Sequence, residues 1–106
     1  MTPTAEDMRR YRRVPGGHRS ARVLIDGAWL TGSLIDISGG GAALAIEGPA
    51  GIGARVVLSD TELGLIAGTV VRRREEGPSL AFDLDEKRRT ALIDTLTLWH
   101  NEALFA

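Results

Sequence analysis

Two clusters of side chains carry chemistry that the rest of the chain does not explain. The first is the run Arg9-Arg10-Tyr11-Arg12-Arg13, in which Arg9 and Arg13 stand in the spacing R-x-x-x-R just ahead of Val14-Pro15. A guanidinium is a planar fork of donors that pairs two phosphate oxygens side by side and stacks on flat rings. The second is Asp36-Ile37-Ser38-Gly39-Gly40-Gly41, which reads D-x-S-x-x-G. In an extended run Asp36 and Ser38 point to one side of the sheet, roughly 6.7 Å apart. A carboxylate there can accept hydrogen bonds from the N1–H and the exocyclic amine of a guanine, and a hydroxyl can add one to the base or a phosphate. Glycine at Gly41 permits a positive φ and lets a flat ring approach the main chain closely. A plainer reading stands beside this one: Asp, Ser and Gly are common turn residues, and the arginines could form a solvated basic arm. Taken together, a phosphate clamp and a guanine reader describe a site for a doubly phosphorylated, guanine-bearing ligand.

Other chemistries fail on inventory. The 106 residues include no cysteine, which removes disulfides, thiolate zinc sites and cysteine nucleophiles together. His18 and His100 lack metal-ligand spacing, and no serine sits in a G-x-S-x-G elbow. Glu75-Glu76 fills a turn and Asp83/Asp85 precede a helix, so neither pair reads as an acid–base couple. No enzyme activity, metal or cofactor is expected. A formal net charge of −1 and an aromatic content of 5% disfavour a nucleic-acid partner. No signal-peptide core and no run of about 20 apolar residues is present, so a soluble, cytoplasmic protein without membrane insertion is the expectation.

The elements that must position the two motifs follow from periodicity. From Ser20, Ala21, Val23 and Ile25 alternate with Arg22 and Asp26, which reads as a strand. Asp26-Gly27 is a hairpin turn, and Trp29 to Ile37 is the partner strand. Further strands are expected over Ala42–Ile46, Arg55–Leu58, Leu63 or Gly64 to Arg73, and Leu80–Leu84. Gly48-Pro49-Ala50-Gly51-Ile52-Gly53 reads as a loop, and Val14-Pro15-Gly16-Gly17 and Glu75-Glu76-Gly77-Pro78 as turns. Beyond Asp85, a natural N-cap, Leu92, Leu96, Trp99 and Ala103 mark a helix with one apolar stripe. The fold class is mainly β: a small antiparallel barrel with a C-terminal α-helix.

Both motifs, in this order and spacing, resemble the PilZ domain family, whose pattern is R-x-x-x-R followed about 20–30 residues later by [D/N]-x-S-x-x-G on a barrel strand. The similarity runs from Arg9 to the terminal helix. It includes Arg13-Val14-Pro15, Gly68-Thr69-Val70-Val71-Arg72 and Ala81-Phe82. The resemblance implies a single-domain member with a six-stranded antiparallel β-barrel and an arginine loop that folds over cyclic di-GMP. Arg9 and Arg13 would clamp phosphates and stack on guanines, Asp36 and Ser38 would hold a guanine edge, and Gly40 and Gly41 would shape the floor. Arg10 and Arg12 are further candidates, able to reach a second ligand molecule, since the family binds one or an intercalated pair. The implied plan is a disordered tail over 1–8, the clamp loop over 9–17, the barrel over 19–84 and the helix over 85–104. The implied function is a non-catalytic receptor whose loop changes conformation on binding and signals to a protein partner. The alternative is a protein adaptor of the same fold that does not bind the nucleotide.

Overall fold

The alternating apolar positions that begin at Ala21 become the inner wall of a barrel. The computed structural model describes residues 11–48 and 50–105, with side chains through Glu102. Its elements are β1 (Val14–Pro15), β2 (Ser20–Ile25), β3 (Ala28–Ile37), β4 (Gly41–Ala45), β5 (Arg55–Asp60), β6 (Gly64–Arg74), β7 (Gly77–Phe82) and α1 (Glu86–Phe105). Six strands close in the order β3-β2-β5-β6-β7-β4, with β4 pairing back onto β3, and every pairing is antiparallel. Closure removes the open edges that would otherwise template association. The two residues of β1 pair with the far end of β3, Val14 opposite Ile37 and Pro15 opposite Asp36, in line with β2. The stretch expected to be a turn at Val14-Pro15-Gly16-Gly17 is therefore partly sheet, and the Gly16 N–H donates to Ile35 O at 2.8 Å. Between β2 and β3 the expected turn is present: Asp26 and Gly27 have φ of 50° and 79°, the left-handed pair of a type I′ hairpin.

Inward residues Val23, Leu34, Ile37, Leu44, Leu58, Val70, Leu80 and Phe82 are each at most 2% exposed and form the core. Leu34 and Ile37 are three apart, an odd step that strict alternation cannot place on one face. The register resolves this with a bulge: Leu34 faces Leu44, Asp36 faces Ala43, and Ile35 is the extra residue. A second bulge lies on β6, where Val70 faces Leu80, Arg72 faces Ser79, and Val71 is extra. Strand β7 begins at Gly77, earlier than the Leu80 expected from the Gly-Pro turn signal. A two-residue turn at Glu75–Glu76 suffices, so Gly77 and Pro78 already pair with Arg74 and Arg73.

The helix is capped where expected: the Asp85 carboxylate accepts from the Arg88 N–H at 2.8 Å. Leu92 and Leu96 join the barrel core, and Trp99 packs against it. The indole N–H of Trp99 donates to Glu62 at 2.8 Å, and the Arg19 guanidinium lies 4.1 Å above the indole ring. The side chain of Ala103, the last member of the expected stripe, lies outside the described side chains. Among the described residues no helix is long and apolar enough to cross a membrane. Asp85→Ala is expected to lower the unfolding free energy by about 1 kcal/mol, read from a denaturant midpoint; an unchanged midpoint would show that the cap contributes nothing.

Candidate functional site

The bulge at Ile35 decides where Asp36 points. Alternation from Leu34 alone would send the carboxylate into the core; the extra residue turns it to the outer face of the barrel. Arg13 stands one residue before β1, so the pairing of Val14 with Ile37 sets its side chain beside the end of β3. There Arg13 Nη2 donates to Asp36 Oδ1 in an ion pair. Arg12, the next residue back, turns the other way and meets His100 of α1, Nη2 to Nε2, at 3.1 Å. The arm thus touches the barrel through Arg13 and the helix through Arg12. Arg9 and Arg10 lie outside the described residues.

The D-x-S-x-x-G segment is built differently from an open strand end. Strand β3 stops at Ile37, and Ser38 is fully buried beyond it, not level with Asp36 on an open face. The Ser38 hydroxyl oxygen accepts from the N–H groups of Gly40 at 3.1 Å and Gly41 at 3.3 Å. The Ser38 N–H donates to Gly41 O, and Gly40 O accepts from the Phe82 N–H, both at 2.8 Å. Gly41 does not use the left-handed freedom expected of it; it is the first residue of β4, opposite Ala81. Gly39 is required for a close approach, because a Cβ there would meet Ile93 of α1 at 2.7 Å. Arg89, on the same helix, donates to Gly39 O at 2.8 Å and to Leu84 O at 3.0 Å. Its guanidinium also lies 5.3 Å from the centre of the Tyr11 ring. These bonds make the segment a fixed floor rather than a flexible loop.

Two spaces border the arm. The cleft between arm and helix, lined by Tyr11, Arg12, Gly39, Ile93 and His100, holds about 130 Å³. That is below the roughly 300–1,000 Å³ typical of ligand pockets. The second borders Asp36 on the outer face of the barrel. A cross-strand row runs Asp36, Ala43, Ser79, Arg72 over β3, β4, β7 and β6, and the next row runs Gly41, Ala81, Thr69. Three strand spacings separate Asp36 from Arg72, about 14 Å between backbones. Ala43, Ser79, Ala81 and Thr69 in these rows are small and each at most 8% exposed. Among the described residues no group of three or more His, Cys, Asp or Glu side chains could hold a metal ion.

Of the residues singled out in the sequence, Arg13 and Asp36 are brought together, and Ser38, Gly40 and Gly41 share one hydrogen-bonded turn. Sequence reasoning gave no signal for Arg89, whose contacts run from helix to loop, nor for the direction of Arg72 and Arg74, which depends on a bulge. The signal for the bulges was present in the apolar doublets Leu34-Ile35 and Val70-Val71, which interrupt alternation.

A family model described as the PilZ domain matches residues 7–97. Among solved structures, the crystal structure of the PilZ domain of CeSA from a cellulose-synthesizing bacterium matches with a TM-score of 0.62. The two are 21% identical, and the match covers 81% of this chain and 95% of that one. At that identity the likeness bears on the fold. No curated protein matches the sequence.

Proposed function

The chain belongs to the PilZ domain family, and from that premise we propose that it is a cytoplasmic, non-catalytic receptor for cyclic di-GMP that signals to a protein partner by rearranging its arginine arm. The observation that carries this reading is the Arg13–Asp36 ion pair, in which the two motifs meet on the outer face. Their side chains are 37% and 26% exposed, so the pair contributes little, on the order of 0–1 kcal/mol. Cyclic di-GMP offers each partner a replacement: a phosphate for the guanidinium and a guanine N1–H and amine for the carboxylate. Charge-assisted hydrogen bonds of roughly 1.5–3 kcal/mol each then replace a weak pair. The exchange pulls Arg13 off the carboxylate, and the arm moves because Arg13 does.

In this scheme Arg9 joins Arg13 on the phosphates and guanine faces, while Arg10 and Arg12 reach a second ligand molecule where one binds. Ser38 holds Gly40 and Gly41 as the floor on which a ring rests. Because Val14–Pro15 and Gly16 are tied to β3, the moving part is the segment ahead of β1.

The test is a thermal melt with and without nucleotide. Ligand at 100 times its dissociation constant stabilises the native state by about 2.7 kcal/mol, which for a domain of this size raises the melting temperature by on the order of 10 °C. That rise is expected with cyclic di-GMP and absent with GTP or cyclic GMP. A second reading, an adaptor that needs no nucleotide, draws on the same ion pair, since the two motifs already satisfy one another. No shift with any nucleotide would favour it.

A further inference from the structure

On the side of the barrel away from β4 and β7, the outer face carries apolar residues where alternation would leave polar ones. The core takes Val23 and Ile25 of β2, Val56 and Leu58 of β5, and Ile66 of β6. The residues between them point outward. Together with β3 they form one cross-strand row: Trp29 opposite Leu24, Leu24 opposite Val57, and Val57 opposite Ala67. Leu65, also exposed, lies one row along, opposite Ser59. A lone exposed leucine needs no explanation, whereas a contiguous apolar row across four strands marks an interaction surface.

The row has a definite relief. The Trp29 indole is 42% exposed, with the Arg22 guanidinium 5.0 Å from the ring centre. Beside it, Leu24, Val57 and Ala67 line a depression of about 220 Å³, which Asp26 and Arg55 also border. Arg55 pairs with Asp83 at 3.4 Å, an exposed contact of little strength. One patch therefore holds a projecting ring, a hollow, a cation and an anion.

We propose that this face is where two copies of the chain associate about a twofold axis, the Trp29 ring of each entering the depression of the other. Three observations select a second copy over other occupants. The six barrel strands close on themselves, so a partner meets a face of the sheet and does not extend it by an added strand. A twofold contact needs both halves of each interaction on one patch, and here ring and hollow are neighbours. The rim also carries both signs of charge. A strongly acidic segment would meet Asp26 and a strongly basic one Arg55, whereas twofold pairing sets Arg55 of one copy against Asp26 of the other. Charge confined to the rim of an apolar patch with an aromatic anchor is how specific interfaces are built. The row through Asp36 runs over β4 and β7, so this association does not depend on the receptor reading above.

The experiment is sedimentation equilibrium of the full chain between about 5 and 200 μM, with a thermal melt of each protein. Wild type is compared with Trp29→Ala, Val57→Glu and Leu98→Glu. Wild type is expected to pass from monomer to dimer as its concentration rises. Trp29→Ala is expected to weaken dimerisation roughly tenfold or more, because a tryptophan anchor carries much of such a contact. Val57→Glu, which puts a carboxylate in the hollow, is expected to abolish it. Leu98→Glu alters an exposed leucine of α1 outside the patch and should leave the dimer unchanged. Wild type that stays monomeric throughout overturns the proposal and leaves the face to a different protein. Dimerisation of Trp29→Ala within a factor of two of wild type, or loss of the dimer in Leu98→Glu as well, also overturns it. Should Val57→Glu fail to fold, Trp29→Ala decides by the same criterion.

Discussion

Replacing Arg13 with alanine is expected to weaken cyclic di-GMP binding by about 2–5 kcal/mol, roughly 30-fold to several thousand-fold. The loss is that of a phosphate held without its guanidinium, offset only slightly because the weak Arg13–Asp36 pair no longer has to be broken. The fold itself should scarcely notice. The Arg13–Asp36 pair is partly exposed on both sides, so its removal changes unfolding free energy by less than about 1 kcal/mol. Affinity and stability thus separate in one variant, and calorimetric titration beside a thermal melt reads both. An Arg13→Ala protein that bound within a factor of two of wild type would show that the clamp lies elsewhere.

The second large effect falls on stability. Asp60 has a side chain only 4% exposed and pairs with Arg19 at 3.1 Å. The same carboxylate accepts from the N–H groups of Glu62 at 2.8 Å and Leu63 at 3.2 Å. It therefore fixes the β5–β6 turn and holds Arg19 over Trp99, which in turn bonds Glu62. Asp60→Ala leaves the cation and two backbone donors without this acceptor. A fully buried pair broken this way costs 3–5 kcal/mol. Arg19 is 31% exposed, so water recovers part of that, and about 3 kcal/mol is the expected loss. For a domain of this size the melting temperature should fall by roughly 10–20 °C. A fall of less than about 3 °C would mean that the Trp99 cluster does not tie the helix to the barrel.

Local chemistry was readable from the chain and long-range geometry was not. Asp26-Gly27 declares its turn because φ is positive at both residues, and Asp85 declares its cap because it precedes a helical stripe. Ala21, Val23 and Ile25 declare an inward face by alternation alone. The direction of Asp36 was reached for a reason the alternation does not contain: Ile35 bulges because Leu34 and Ile37 both enter the core. Ser38 illustrates the opposite case. Its type was legible, but its burial and its bonds to the Gly40 and Gly41 N–H groups follow only from the fold. The arginines of β6 were visible as a run, but only the pairing of β6 with β7 says that Arg72 and Arg74 face outward while Arg73 reaches Ala50 O at 2.7 Å.

The most direct test is titration of the purified protein with cyclic di-GMP, with GTP and cyclic GMP as controls. Selective, saturable heat with cyclic di-GMP alone is the expected result, and its stoichiometry counts the nucleotides held at the Arg13–Asp36 site. The absence of heat and of competition at high micromolar cyclic di-GMP would contradict receptor function and leave the outer face as a surface for a protein partner.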